Sequence, residues 1–290
     1  MIMAGGWGAA YNILDIVDVL GKEDSCPIAK LPFAIMSEPS LFPHGNNILI
    51  CGGNPLEQMQ SCIEYNEGNW KKYNSLTAER DLATMVPIKE AIYIFGGQQS
   101  KETSEYLRHD NDTWQKGPDI PNGGLLYGCG VGISETKMLL IGGYDNPRQI
   151  LMFNTEDNSW HSTSIKLEFG RCSHKCLVFN SKVIVTGGQS RTRGYLNSTE
   201  IIDFSGNEMT IRAGGDMNFE RYNHGMGVIT MDYVPTAIVF GGLNNLSNKT
   251  KTVQVWHDKS ETWITSDTLD LNQPRAQFGV ITVPTELVCP

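Results

Sequence analysis

The chain has 290 residues, of which 40% are hydrophobic, and its formal net charge at pH 7 is −9. This acidic balance argues against a general nucleic-acid-binding protein, because phosphate contacts require a basic surface. No apolar run reaches the roughly 20 residues that span a bilayer as a helix, so no membrane segment is expected. The 30 glycines alternate with many short apolar runs, which is typical of a turn-rich all-β protein.

A pair of glycines ends a short apolar run six times along the chain. The pairs are Gly5–Gly6, Gly52–Gly53, Gly96–Gly97, Gly142–Gly143, Gly187–Gly188 and Gly241–Gly242. Further short apolar runs follow each pair, so each unit is predicted to contain four strands. A repeat of roughly this length indicates units that stack radially, because one such unit cannot bury both faces of its own sheet.

An aromatic residue accompanies the glycine pair in most units. The tryptophans at this place are Trp70, Trp114, Trp160 and Trp263, whereas the fifth unit has Met209 and the first has Cys26 nearby. We expect the tryptophans to fill the space between neighbouring units, and the glycines to permit close backbone approach. Both motifs are therefore interpreted as structural.

These paired glycines, the following aromatic residue and the period of roughly 45 residues resemble the kelch repeat over essentially the whole chain. The resemblance implies a single domain, residues 1–290, folded as a six-bladed kelch-type β-propeller. The C-terminal run at residues 277–283 is expected to pair with the N-terminal strand at residues 2–4. This pairing would complete the first blade and close the ring, which removes exposed sheet edges.

Arginines recur before the glycine pairs, where the loop between two units enters the next innermost strand. They are Arg80, Arg171, Arg221 and Arg275, and we assign Met36 and Leu126 to the same place in the other two units. In kelch adaptors, similar arginines at one mouth of the central channel receive acidic peptides. The alternative is that these arginines pair with Asp or Glu as clamps between blades.

The resemblance therefore implies a partner-binding site at the channel mouth over three consecutive blades. Its predicted residues are Arg171, Arg221, Arg275, Arg191, Arg193 and Tyr195, the last three on a long loop of the fifth unit. Guanidinium groups bind carboxylate or phosphate bidentately, so the expected partner is a protein or an acidic peptide.

Catalytic motifs are missing from the sequence, so no enzymatic activity, cofactor or metal is expected. One series, Asp216, Glu220 and His224, resembles the iron-binding loop of nitrile-specifier propellers with its two acids exchanged. We interpret it instead as a solvated loop.

The function expected from the resemblance is that of a protein–protein interaction module. Its closest counterpart would be the substrate-recognition domain of BTB-kelch proteins, which serve cullin-3 ubiquitin ligases. An actin-binding kelch protein is one alternative. A propeller enzyme such as a sialic-acid mutarotase, or a metal-dependent specifier protein, is another. The sequence defines no oligomeric state.

The seven cysteines form no CxxC pair, and Cys172 and Cys176 lie too far apart along one strand to form a disulfide. We therefore expect reduced, largely buried thiols and a cytoplasmic location. Four N-glycosylation sequons make secretion the alternative; they begin at Asn111, Asn197, Asn245 and Asn248.

Overall fold

The computed structural model describes residues 1–8, 17–19, 29–35, 37–53 and 59–282. Within these ranges the regular secondary structure is entirely β-strand. The described residues accordingly include no helix that could cross a membrane.

Most strands belong to five antiparallel four-stranded sheets, here named blades A to E in chain order. Blade A contains β4 (Ser40–His44), β5 (Asn47–Cys51), β6 (Cys62–Asn66) and β7 (Asn69–Tyr73). Blade B contains β8 (Thr84–Pro87), β9 (Ala91–Phe95), β10 (Ser104–Arg108) and β11 (Gln115–Lys116). Blade C contains β12 (Cys129–Gly132), β13 (Lys137–Ile141), β14 (Ile150–Asn154) and β15 (Ser159–Ser162).

Blades D and E complete the series. Blade D contains β16 (Lys175–Phe179), β17 (Lys182–Thr186), β20 (Thr199–Asp203) and β21 (Thr210–Ala213). A small ribbon within it pairs β18 (Gln189–Ser190) with β19 (Gly194–Tyr195). Blade E contains β22 (Gly225–Met231), β23 (Val234–Phe240), β24 (Thr252–His257) and β25 (Thr262–Asp270).

The two ends of the chain meet in a separate three-stranded sheet, here called the terminal sheet. It contains β27 (Gly279–Ile281), β1 (Ile2–Ala4) and β3 (Val17–Val19), in that order. Ile2 pairs with Ile281 across β1 and β27. A short ribbon beside it joins β2 (Trp7–Gly8) to β26 (Arg275–Ala276).

The prediction of six blades is wrong, because the described residues form five four-stranded blades. The terminal sheet, which corresponds to the first repeat unit, has only three strands there. In the five blades an apolar residue is the second residue of the fourth strand, as Trp70 is, or directly precedes that strand, as Trp114 does, and it packs against the core. Cys26, near this place in the first unit, lies outside the described residues.

The innermost strands of the sheets surround a central channel. Each touches the next in the sequence β4, β8, β12, β16, β22 and β27, and β27 then touches β4. The all-β propeller architecture expected from the repeats is therefore present, although the blade count differs.

Apolar side chains from neighbouring blades interlock between the sheets. Trp114 is only 3% exposed and packs in one cluster with Leu49 of blade A and Ile94 of blade B. Its ring meets Phe42 edge-on, with the ring centroids 5.9 Å apart. Trp263 is similarly buried between blades D and E. The interblade role predicted for these two tryptophans is confirmed.

Two disulfides correct the expectation of reduced thiols. Cys51 and Cys62 face each other on β5 and β6 of blade A, whereas Cys129 and Cys176 join the innermost strands of blades C and D. Spacing along the chain could not reveal these pairs, because antiparallel register and blade packing bring them together. Cys172 is free, and Cys26 and Cys289 lie outside the described residues.

Replacing Trp114 by alanine tests this packing. We expect the free energy of unfolding to fall by about 3–5 kcal/mol, because the change removes a buried aromatic ring and leaves a cavity. Urea denaturation of the variant and the unmodified chain measures the difference. A loss below about 1 kcal/mol would contradict the interblade position of this side chain.

Candidate interaction site at the channel mouth

The central channel contains a cavity of about 160 Å³, which is lined by residues of all the innermost strands, including Ser40, Gly130 and Gly279. Glu38 lies just before β4 of blade A, and Lys175 begins β16 of blade D on the other side of the ring. The Lys175 ammonium and the Glu38 carboxylate lie 2.8 Å apart. This ion pair therefore spans the channel.

Each glycine pair binds the loop that enters the following sheet. The N–H of the second glycine donates to the carbonyl of one loop residue, as in Gly53 to Arg80 (2.9 Å) and Gly143 to Arg171 (3.0 Å). A Cβ on Gly96 would collide with the carbonyl oxygen of Leu125, so only glycine fits there. The six acceptor residues are Ile35, Arg80, Leu125, Arg171, Arg221 and Arg275.

This bonding defines the true repeat register. Ile35 and Leu125 occupy the arginine position in their units, and not Met36 and Leu126 as predicted from counting. The error is one residue, because the segment from this position to the next glycine pair is 17 residues long in these two units and 16 in the units of Arg80 and Arg171.

The arginines bind the end of the sheet that follows them. Arg171 Nη1 donates to the carbonyls of Gly187 (2.9 Å) and Ser198 (3.1 Å). Arg80 makes the equivalent bonds to Gly96 (2.7 Å) and Thr103 (3.1 Å). Arg221 repeats the pattern in blade E. Each guanidinium thus ties the second strand to the start of the third.

Two of these arginines also form buried ion pairs. Arg80 Nε lies 2.7 Å from Glu105, and Arg171 Nη2 lies 2.6 Å from Glu200. Both carboxylates accept backbone N–H groups as well, including that of Ala78 for Glu105. Glu105 and Glu200 each pair with the second-to-last residue of the second strand, and we call this place in the third strand the acid position. In blades A and C, where the arginine position is apolar, the acid position is apolar too, with Ile63 and Leu151.

Blade E departs from this rule. Gln254 occupies the acid position, and both its Nε2 and Arg221 Nε lack hydrogen-bond partners among the described residues. Burial lowers the pKa of Arg221 to about 9. Phe219 offers partial compensation, because the guanidinium carbon of Arg221 lies 4.5 Å from the centre of its ring.

The burial of the arginines corrects the partner site predicted from the repeats. The side chains of Arg171, Arg221 and Arg275 have no exposed surface, and Arg275 lies near the ring of Phe278. Of the three, Arg171 pairs with Glu200, as the alternative predicted, whereas Arg221 has Gln254 in place of an acid. A partner cannot reach them in this structure, because the glycine pairs and loops cover them.

The other three predicted residues do lie at the surface, on the loop between β17 and β20. Arg191 Nη2 donates to the carbonyl of Tyr144 (2.8 Å), and its guanidinium lies 4.5 Å from the centre of the Tyr144 ring. Arg193 lies 5.1 Å from the ring of Phe169. Both arginines are exposed, because the ribbon of β18 and β19 holds them at its tip.

Tyr195 extends this surface towards blade E. Its ring stacks on that of Tyr222, with centroids 4.9 Å apart. Leu246 on the neighbouring loop is 74% exposed. We call the set Tyr144, Arg191, Arg193, Tyr195 and Tyr222 the tyrosine–arginine rim. It crosses the mouth over blades C, D and E.

Sequence reasoning missed Tyr144 and Tyr222 in this rim. Tyr144 directly follows a glycine pair, where the loop that leads to the mouth begins, so repeat alignment could have found it. Tyr222 directly follows the buried Arg221, and no repeat motif distinguishes it in the sequence.

The residues considered for metal binding do not come together. His224 is only 1% exposed, and its Nε2 lies 2.9 Å from the hydroxyl of Thr186. Burial lowers the pKa of its imidazole well below 6.5. Over the part of the chain that the structure describes, no three His, Cys, Asp or Glu side chains are grouped to hold a metal ion.

Comparison with known proteins agrees with this architecture. A family model described as the kelch motif matches residues 170–208, which include β16 to β20. The solved structure of YjhT is similar, with a TM-score of 0.71 and 14% sequence identity over 86% of this chain and 87% of the other. A search among curated proteins found no match. The fold is a kelch-type propeller, and such propellers are generally protein-interaction modules.

Replacing Gln254 by glutamate tests the analysis of the buried arginines. We expect a stability gain of about 1–3 kcal/mol at pH 7, because the carboxylate supplies Arg221 Nε with the charged acceptor that blades B and D have. Urea denaturation measures the change.

The matched control introduces the opposite change in blade B. Glu105→Gln is expected to lose about 3–5 kcal/mol, because it leaves Arg80 buried without its carboxylate. A loss of stability in Gln254→Glu would show that Arg221 does not need an acid.

The buried histidines predict an acid-sensitive fold. Burial lowers the pKa of His174 and His224 well below 6.5, so both remain neutral in the folded protein but gain a proton when unfolded. Below about pH 6.5 the unfolded chain therefore binds more protons, and the free energy of unfolding falls by up to about 1.4 kcal/mol per pH unit for each histidine.

The variant His174→Phe should reduce this slope, because it removes one of the two buried histidines. Phenylalanine is chosen because Phe278 holds the equivalent position before β27. Urea denaturation at about pH 7 and pH 5 measures it. Replacing the exposed His109 by glutamine is the control and should leave the slope unchanged. An equal slope in His174→Phe and the unmodified chain would contradict the buried neutral state.

Proposed function

We propose that this chain is a non-enzymatic protein-interaction module that binds an acidic segment of another protein at the tyrosine–arginine rim. The observation that carries the proposal is the state of two rim arginines. Arg191 and Arg193 are exposed, each lies over an aromatic ring, and neither has a carboxylate within 4.0 Å among the described residues.

Charge supports an acidic partner. The chain carries a net charge of −9, yet within the described ranges these two guanidinium groups have no carboxylate partner. A planar guanidinium binds carboxylate or phosphate through two parallel hydrogen bonds. The stacked rings beneath restrict the arginine side chains, which lowers the entropy lost when a ligand binds.

The rim also has the composition of a binding hot spot. Tyrosine and arginine are enriched among residues that dominate interface energies. Tyr144 is 49% exposed and Leu246 is 74% exposed, so apolar surface adjoins the charges. Because Glu38 and Lys175 close the channel below, the ligand is proposed to lie across the mouth over blades C, D and E.

The adaptor role in a cullin-3 ubiquitin ligase has weaker support. That role rests on family resemblance, and the cytoplasmic location rests on the expectation of reduced thiols. The two disulfides weigh against a reducing compartment, where such bonds are rare. The proposal is therefore confined to binding an acidic segment, whatever assembly contains the propeller.

A peptide array tests the proposal. Each acidic peptide is paired with a counterpart in which Asp and Glu are replaced by Asn and Gln, and affinities of the bound pairs are then measured by calorimetry. We expect the double variant Arg191→Ala, Arg193→Ala to bind the acidic peptides roughly 10- to 100-fold more weakly, because two charge-assisted contacts are lost. The difference should shrink at high salt, which screens exposed charges.

The control is Arg108→Ala, which removes an exposed arginine from the opposite face of the propeller. It should bind as the unmodified chain does. Equal binding of the acidic peptides and their Asn/Gln counterparts would contradict the proposal. So would full affinity in the double variant, because the interaction would then lie elsewhere.

A further inference from the structure

The four glycosylation sequons are not equivalent in the folded protein. The carboxamide of Asn197 is engaged in a hydrogen bond within the protein, because its Nδ2 donates to the carbonyl of Met217 (3.2 Å). The rest of its sequon is also engaged: Ser198 accepts a bond from Arg171, and the buried Thr199 accepts one from Trp263. A sugar on Asn197 would have to break these contacts.

Asn111 lies in a different environment. It belongs to the turn between β10 and β11 of blade B, and its Oδ1 accepts the backbone N–H of Thr113 (3.0 Å). Among the described residues its Nδ2 donates no hydrogen bond, and Thr113 is exposed. The carboxamide nitrogen and the Thr113 hydroxyl are therefore both available.

Two side chains of the neighbouring blade A hold this turn by hydrogen bonds. Asn74 Nδ2 donates to the carbonyl of Asp112 (2.8 Å), and the Tyr73 hydroxyl donates to the Asp112 carboxylate (3.1 Å). The sequon is thus presented in one conformation against blade A. Strands alternate in direction, so turns between third and fourth strands lie on the face opposite the tyrosine–arginine rim.

Asn245 and Asn248 are exposed but lie beside that rim. They share a loop in which Asn244 Oδ1 accepts the backbone N–H groups of Leu246 and Asn248 (3.0 Å each). Ser247 of this loop lies 3.4 Å from the Tyr222 hydroxyl, so a sugar there would stand beside the rim, whereas a sugar on Asn111 leaves the mouth open.

The disulfides supply an independent observation about the compartment. Cys51–Cys62 and Cys129–Cys176 are closed, and the second joins two blades next to the channel. Disulfides persist in oxidising environments, the same environments in which N-linked sugars are added.

We propose that Asn111 carries an N-linked glycan and that the protein matures in an oxidising compartment. The sugar donor is an oligosaccharide attached to a lipid diphosphate. The bond between the anomeric carbon and the phosphate oxygen breaks, a bond from that carbon to Asn111 Nδ2 forms, and the amide proton leaves with the lipid diphosphate.

Protein isolated from its natural source provides the first test. Treatment with peptide-N-glycosidase in ¹⁸O-water should convert Asn111 to aspartate carrying one ¹⁸O atom, while Asn197 remains asparagine. Recovery of Asn111 entirely as unmodified asparagine would overturn the proposed glycan. Alkylation of all four paired cysteines without prior reduction would overturn the proposed compartment.

Variants secreted from cultured animal cells provide the second test. Thr113→Ala should remove one glycosidase-sensitive mobility shift, and the conservative variant Thr113→Ser should retain it. Asn197→Gln should leave the number of shifts unchanged. An unchanged shift pattern in Thr113→Ala, with the variant still secreted and folded, would also overturn the proposal.

Discussion

The hydrogen bond from the second glycine of each pair to the next interblade loop is the contact on which the ring depends. It recurs six times with lengths of 2.8 to 3.1 Å, from Gly6 to Ile35 and from Gly242 to Arg275 at the two ends of the series. Each bond ties one sheet to the loop entering the next, so sheets and loops are linked around the channel. The left-handed backbone and missing Cβ of glycine make the approach possible.

The arginine position shows two physical solutions to one packing problem. Blades B and D place a buried guanidinium against a glutamate, whereas blade C uses Leu125 and Leu151 in the same places. A buried ion pair costs desolvation that an apolar pair avoids, so either can be stable if both members change together. Arg221 with Gln254 is the intermediate case, because a buried guanidinium there meets an amide and no carboxylate among the described residues.

This burial also explains why the arginines that recur from unit to unit are inaccessible to a partner in this structure. Repeat counting identified positions that recur, and recurring positions in a propeller are mostly those that hold neighbouring sheets together. The loops that follow the glycine pairs vary between units, and these loops carry Tyr144, Arg191 and Arg193 to the mouth. Variation between units was therefore the better guide to the candidate site than repetition.

The sequence by itself determined the all-β propeller class, the glycine-paired repeat and the interblade position of Trp114 and Trp263, because these depend on local patterns that each unit repeats. It also led to Arg191, Arg193 and Tyr195, since a long polar loop has to lie at the surface. Only the tertiary structure decided the blade count, the pairing of Cys129 with Cys176 and the burial of Arg171, Arg221 and Arg275. Each of these depends on which residues of distant units come into contact, and contacts between units are set by sheet packing, which the order of residues within one unit does not encode.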